Sequence, residues 1–112
     1  MELEHLIILT KLVNKYGDQQ INICIEEMAE LTKALCKHNR GKTDLTNIKE
    51  ELADVYIMLY QMQVLFEIDT EEINEVIDYK VKRTKERLLD EQNWQNNCRH
   101  KWKESPIRKT PL

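Results

Sequence analysis

Apolar side chains recur at helical spacing in four stretches of the chain. Leu3, Leu6, Ile7, Val13 and Tyr16 predict a first helix over about residues 2–16, with Gly17 as its stop. Asp18 is the N-cap candidate for a second helix, which reaches about His38 and halts at Arg40 and Gly41. Thr43 or Asp44 then caps a third helix that runs to about Phe66. In the run DTEE, Asp69 with Glu72 makes an acidic capping box for a fourth helix, which extends to Asp90 or beyond. No stretch alternates as a strand would, and both prolines follow residue 105, where they interrupt nothing. The pattern predicts an all-α chain: a four-helix bundle completed by oligomerisation.

Composition changes this picture only near the C-terminus. Residues 1–92 carry the helical pattern, whereas 93–112 are polar, basic and proline-ended, with Trp94 and Trp102 as their large apolar groups. That change predicts a helical domain followed by a basic tail. Charge is unevenly spread as well. Residues 1–75 hold 15 acidic against 7 basic side chains, and residues 76–112 hold 5 against 10. An acidic centre and a basic arm suit a site for a cation together with phosphate. The apolar runs are far shorter than the roughly 20 residues of a membrane span, and no secretory leader is evident. Three cysteines without a CxxC pair read as reduced thiols in a cytoplasmic protein.

The chemistry starts from a repetition. Residues 26–30 read EEMAE and residues 50–54 read EELAD, the same acidic pattern 24 positions apart. On a helical wheel Cys24, Met28, Leu31 and Leu35 form the apolar stripe of the second helix, with Glu27 and Glu30 along its edge. In the third helix the stripe is Ile48, Leu52, Val55 and Leu59, with Glu51 and Asp54 at the edge. Antiparallel packing through a short loop brings the two pairs to similar height. Four carboxylates converging beside a core repel one another unless a cation joins them. An all-oxygen set without His or Cys suits magnesium or manganese rather than zinc.

In the fourth helix Ile73, Val76 and Ile77 lead into Lys80, Thr84 and Arg87 on one stripe, so the inward line ends in cations suited to phosphate. Glu27-x-x-Glu30, then Glu51-x-x-Asp54, then this basic helix together resemble the MazG-like nucleotide pyrophosphohydrolases of the all-α NTP pyrophosphatase superfamily. The resemblance spans about residues 20–88 and implies a MazG-like four-helix bundle. It implies magnesium-dependent hydrolysis of a nucleoside triphosphate to monophosphate and pyrophosphate. It further implies Glu27, Glu30, Glu51 and Asp54 as catalytic metal ligands, Lys80, Arg87 and Thr84 as substrate contacts, and a homodimer or homotetramer. Thr84 and Leu88 stand where the family often has Asn and an aromatic residue. Met58 stands where some relatives place a base-contacting tyrosine, so base preference does not carry over.

Three other readings compete. A phosphoribosyl-ATP pyrophosphohydrolase shares the helical plan. A helical interaction module without catalysis would leave the acids as surface. A di-iron bundle needs two Glu-x-x-His pairs, and only Glu2 with His5 fits that spacing. Nucleic acid is disfavoured, because the acidic face repels a phosphate backbone and the tail holds no recognition helix.

Overall fold

The computed structural model describes residues 1–98 as four α-helices: α1 (Leu3–Tyr16), α2 (Gln19–Asn39), α3 (Leu45–Leu65) and α4 (Thr70–Cys98). No strand occurs among the described residues, so the chain is all-α. The chain divides into two compact units, Met1–Thr70 and the part from Glu71 onward. The helix α4 continues past the change in composition at residue 92 to Cys98. The rest of the basic tail, with Trp102 and His100, lies outside the described residues.

Helix ends follow local chemistry. Asp44 caps α3 by accepting the Asn47 backbone N–H at 3.0 Å. Thr43 instead meets His38 Nδ1 across the α2–α3 turn at 2.7 Å. Asp18 does not cap α2 with its side chain: its backbone is already helical, at φ −60°. The chain enters α2 through tight turns, with Gln20 N–H bonded to the Gly17 carbonyl and Ile21 N–H to that of Asp18.

Two helices close with the same double hydrogen bond. At the end of α2, Lys42 N–H reaches the Lys37 carbonyl and Gly41 N–H reaches that of His38. At the end of α3, Ile68 N–H reaches Gln63 and Glu67 N–H reaches Val64. This closure needs a left-handed residue after the cap. Gly41 supplies it at φ 81°, but at the end of α3 the residue is Glu67, at φ 55°. A side chain there carries the left-handed penalty that glycine avoids.

Within Met1–Thr70, α2 and α3 form an antiparallel hairpin, and α1 packs chiefly on α3. Its buried apolar core is small: Val13, Cys24, Ala34, Val55 and Met58. The inward stripe of α2 is Gln20, Cys24, Glu27, Leu31 and Ala34, and that of α3 is Ile48, Glu51, Val55 and Met58. The wheel assignment is thus corrected by part of a turn. Met28, Leu35, Leu52 and Leu59, assigned to the seam, are exposed, whereas Glu27 and Glu51 stand in the seam itself. An apolar-weighted wheel misses this because α2 and α3 each carry two apolar faces, and the single chain covers the one that contains the acids.

Glu67→Gly relieves the left-handed residue, because glycine reaches positive φ without the side-chain clash. The gain, about 0.5–1 kcal/mol after the added chain entropy of glycine is subtracted, appears as a higher melting temperature in thermal unfolding.

A candidate metal centre in the helix seam

The register of the hairpin decides what faces what. Gln20 of α2 is hydrogen-bonded to Gln61 of α3. Seven residues on from Gln20 stands Glu27, and seven back from Gln61 stands Asp54. Equal steps in opposite directions keep partners opposite, so a glutamine rung and an acidic rung lie two turns apart in the same seam.

At the acidic rung, carboxylate oxygens of Glu27, Glu51 and Asp54 all lie within 4.8 Å of one another. Glu30 falls outside that trio, yet its charge acts on both Glu27 and Glu51. Every charged neighbour that shifts those two groups is another acid. Desolvation raises the Glu27 pKa above its usual carboxylate value, and the charges of Asp54, Glu51 and Glu30 raise it further. A side-chain hydrogen bond with Asp54 adds to the rise at Glu27. Glu51 is raised as well, first by desolvation, then by Asp54, Glu30 and Glu50. One Glu51 oxygen, Oε2, is shielded from solvent and has no hydrogen-bond partner. A carboxylate oxygen in that state is unusual, because buried acceptors almost always find a donor.

These residues fit a hard divalent cation. The donor set is carboxylate only, it gathers from two helices, and the charges that shift Glu27 and Glu51 are all negative. Glu26 and Glu50, the leading acids of each repeat, are exposed. Lys80, Thr84 and Arg87 follow one another along α4, in the second unit. The Thr84 hydroxyl donates to the Lys80 carbonyl at 3.0 Å, so its proton is committed to its own helix. The Arg83 guanidinium lies 5.8 Å from the centroid of the Tyr79 ring, a surface cation–π contact.

Comparison with known proteins fits this geometry. The profile of the phosphoribosyl-ATP pyrophosphohydrolase family matches residues 10–81, which is more than half of the chain. The chain belongs to that family. It thereby belongs to the MazG-like all-α NTP pyrophosphatase superfamily, whose members split phosphoric anhydrides of nucleotides. The matched span takes in all four acids and Lys80 and ends before Thr84 and Arg87. Among curated proteins and among solved structures, none matches the chain.

Sequence reasoning overlooked Gln20 and Gln61, both buried in the seam. A signal was available: each sits seven residues from an acid, on the same helical face. A polar residue that recurs on an inward line two turns from a candidate ligand marks a built polar seam rather than surface.

A raised carboxylate pKa has a definite sign in stability. The folded metal-free chain holds protons that the unfolded chain has released, so stability is greatest below the ordinary carboxylate pKa of 4.5. It falls as pH rises through the raised values of Glu27 and Glu51. Metal-free protein therefore melts at a higher temperature in mild acid than at neutral pH, and saturating magnesium removes the difference. Glu51→Gln raises the neutral-pH melting temperature of the metal-free chain while weakening the response to magnesium; thermal melts with and without the ion read both effects.

Proposed function

We propose that the chain is a magnesium-dependent pyrophosphohydrolase that cleaves a nucleoside triphosphate between its α and β phosphates, yielding monophosphate and pyrophosphate. The observation that carries this reading is the orphaned Glu51 oxygen inside a trio of carboxylates 4.8 Å or less apart. A family of nucleotide pyrophosphohydrolases supplies the reaction class. Glu27, Glu51 and Asp54 would hold magnesium or manganese, with Glu30 completing the set from one turn along α2. When bound, such an ion neutralises triphosphate charge and makes water more acidic.

The chain's own residues do the rest. The convergent carboxylates would set where the phosphates approach, since among the described residues they form the cluster able to hold a cation. Lys80 and Arg87 supply positive charge for the phosphate oxygens, Arg as a fork and Lys as a point charge.

The family match favours a second substrate within the same chemistry, phosphoribosyl-ATP, which carries the same triphosphate on a larger nucleotide. We further propose a homodimer or homotetramer. Tyr56, Leu59, Leu52 and Ile25 are large apolar side chains left exposed, and a groove of about 450 Å³ between α1 and α3 is lined by Met1, Ile8, Leu9, Tyr56 and Ile57. Among the described residues no helix is long and apolar enough to cross a membrane.

A panel of ribo- and deoxyribonucleoside triphosphates with phosphoribosyl-ATP, scored for pyrophosphate release with and without magnesium, tests the reading. Glu27→Gln and Asp54→Asn each lower turnover by about a thousandfold or more with helical circular dichroism retained. Lys80→Ala and Arg87→Ala each lower kcat/KM by about ten- to a thousandfold. Unchanged turnover in both acid variants refutes the site.

A further inference from the structure

Positive charge in the first compact unit gathers at one end of the hairpin. Apart from Lys11 and Lys15, every Lys and Arg of residues 1–70 falls within 33–49: Lys33, Lys37, Arg40, Lys42 and Lys49. All five are exposed, and none is ion-paired with a described residue. The turn brings them together. Lys42 N–H bonds to the Lys37 carbonyl at 2.9 Å, with Arg40 between the two in sequence. Lys33 stands one turn back from Lys37 along α2, and Lys49 follows Leu45 by one turn in α3. Asp44, the one acid in this stretch, is engaged as the α3 cap.

Helix electrostatics explain only part of this. Cations are favoured at a helix C-terminus, and Lys37 and His38 occupy the last turn of α2. At a helix N-terminus they are disfavoured. Yet Lys42 precedes the α3 cap by two residues and Lys49 sits in the second turn, with no acid in the first turn to offset them. Cations kept at a local cost, without a partner in the fold, mark a surface for an anion outside it. The turn is also preorganised. Gly41 reverses the chain at φ 81°, its N–H bonded to the His38 carbonyl, and Thr43 Oγ1 lies 2.7 Å from His38 Nδ1. A turn held this way loses little freedom on docking.

Shape and surroundings narrow the partner. Glu30 and Glu51 lie seven residues from Lys37 and Asp44, about 10 Å along each helix, against a screening length of about 8 Å. A flat anionic surface that touches the end of the hairpin therefore meets a cationic tip. A nucleic-acid strand laid along the hairpin meets Glu26, Glu30, Glu50 and Asp54 instead, and no Phe, Tyr or Trp within 33–49 offers a face to a base. Leu45, between Lys42 and Lys49, is 71 % exposed. A leucine among cations at a convex end suits a bilayer, where it passes below the headgroups while the charged groups stay beside the phosphates.

We propose that the α2–α3 turn docks the chain peripherally on an anionic phospholipid surface, with Lys37, Arg40, Lys42 and Lys49 at the headgroups and Leu45 inserted beneath them. A cluster of roughly four to eight basic residues is the size that recognises such headgroups. One short cluster gives reversible association that weakens with salt. The acidic rung stands about two turns away, so docking leaves it uncovered.

Co-sedimentation of the full chain with vesicles tests this. At low salt, binding to phosphatidylcholine vesicles with about one-third phosphatidylglycerol exceeds binding to pure phosphatidylcholine at least about tenfold, and about 0.5 M sodium chloride abolishes it. Arg40→Ser/Lys42→Ser lowers binding by about tenfold or more. Leu45→Ser lowers it by about three- to tenfold and keeps the salt dependence. Both variants retain wild-type helical circular dichroism, because the three side chains are exposed at the turn. Lys101→Ser/Lys103→Ser/Arg108→Ser/Lys109→Ser separates the turn from the basic C-terminal residues. Loss in Arg40→Ser/Lys42→Ser sustains the proposal whatever that variant does; unchanged binding in Arg40→Ser/Lys42→Ser overturns it. Equal binding to both kinds of vesicle, or to neither, overturns it as well. An oligonucleotide bound more tightly than the vesicles, and released by Arg40→Ser/Lys42→Ser, assigns the turn to nucleic acid and also overturns it. Leu45→Ser without effect overturns the inserted leucine.

Discussion

Carboxylate crowding in the α2–α3 seam is the constraint from which the rest of the structure follows. Glu27, Glu51 and Asp54 are pressed within 4.8 Å of one another, and Glu51 has an oxygen cut off from both water and donors. Packing holds them there against mutual repulsion. The hairpin register sets Glu27 opposite Asp54, and it cannot slip without also breaking the Gln20–Gln61 bond two turns away. A carboxylate cluster held in this way is unfavourable on its own, and the proposed cation would offset that repulsion through several contacts at once.

The polar seam has consequences for the rest of the molecule. Where glutamates and glutamines fill inward positions, apolar residues cannot, so among the described residues Val13, Cys24, Ala34, Val55 and Met58 make up the buried apolar core. The apolar side chains displaced from the seam, Met28, Leu35, Leu52 and Leu59 among them, stand on the outer faces of the hairpin. A core this small stabilises a 70-residue unit only weakly. The proposed function in the seam and the proposed association through the outer faces are thus two sides of one allocation of side chains. The left-handed Glu67 shows the same tolerance for local cost, since the equivalent closure of α2 uses glycine.

Much of the site was legible before any coordinates. The EExxE and ExxD repeats named all four acids, because two copies of one spacing on consecutive helices must come to similar height once the chain turns back. The all-oxygen donor set and the superfamily follow from the same residues, whereas the phosphoribosyl-ATP pyrophosphohydrolase family that the chain matches stood among the competing readings. The phase of each helix was not legible. Met28 and Leu52 looked more inward than Glu27 and Glu51 by hydropathy, yet they are exposed, because a helix with two apolar faces does not say which one its own chain will cover. Asp18 likewise looked like a cap, and it became part of a tight turn when Gly17 brought α1 and α2 close together in sequence.

The chain's residues alone determined that it would be helical, where three of its helices would stop, and which carboxylates could meet. Those properties depend on spacing along one strand of polymer, on caps and on glycine. Only the tertiary structure decided which three acids converge, that Glu51 buries an oxygen without a donor, and that Gln20 and Gln61 form a second polar rung. The physical reason is register: contacts between helices depend on how one face is rotated and slid against another, and that is settled by packing rather than by the pattern on either helix.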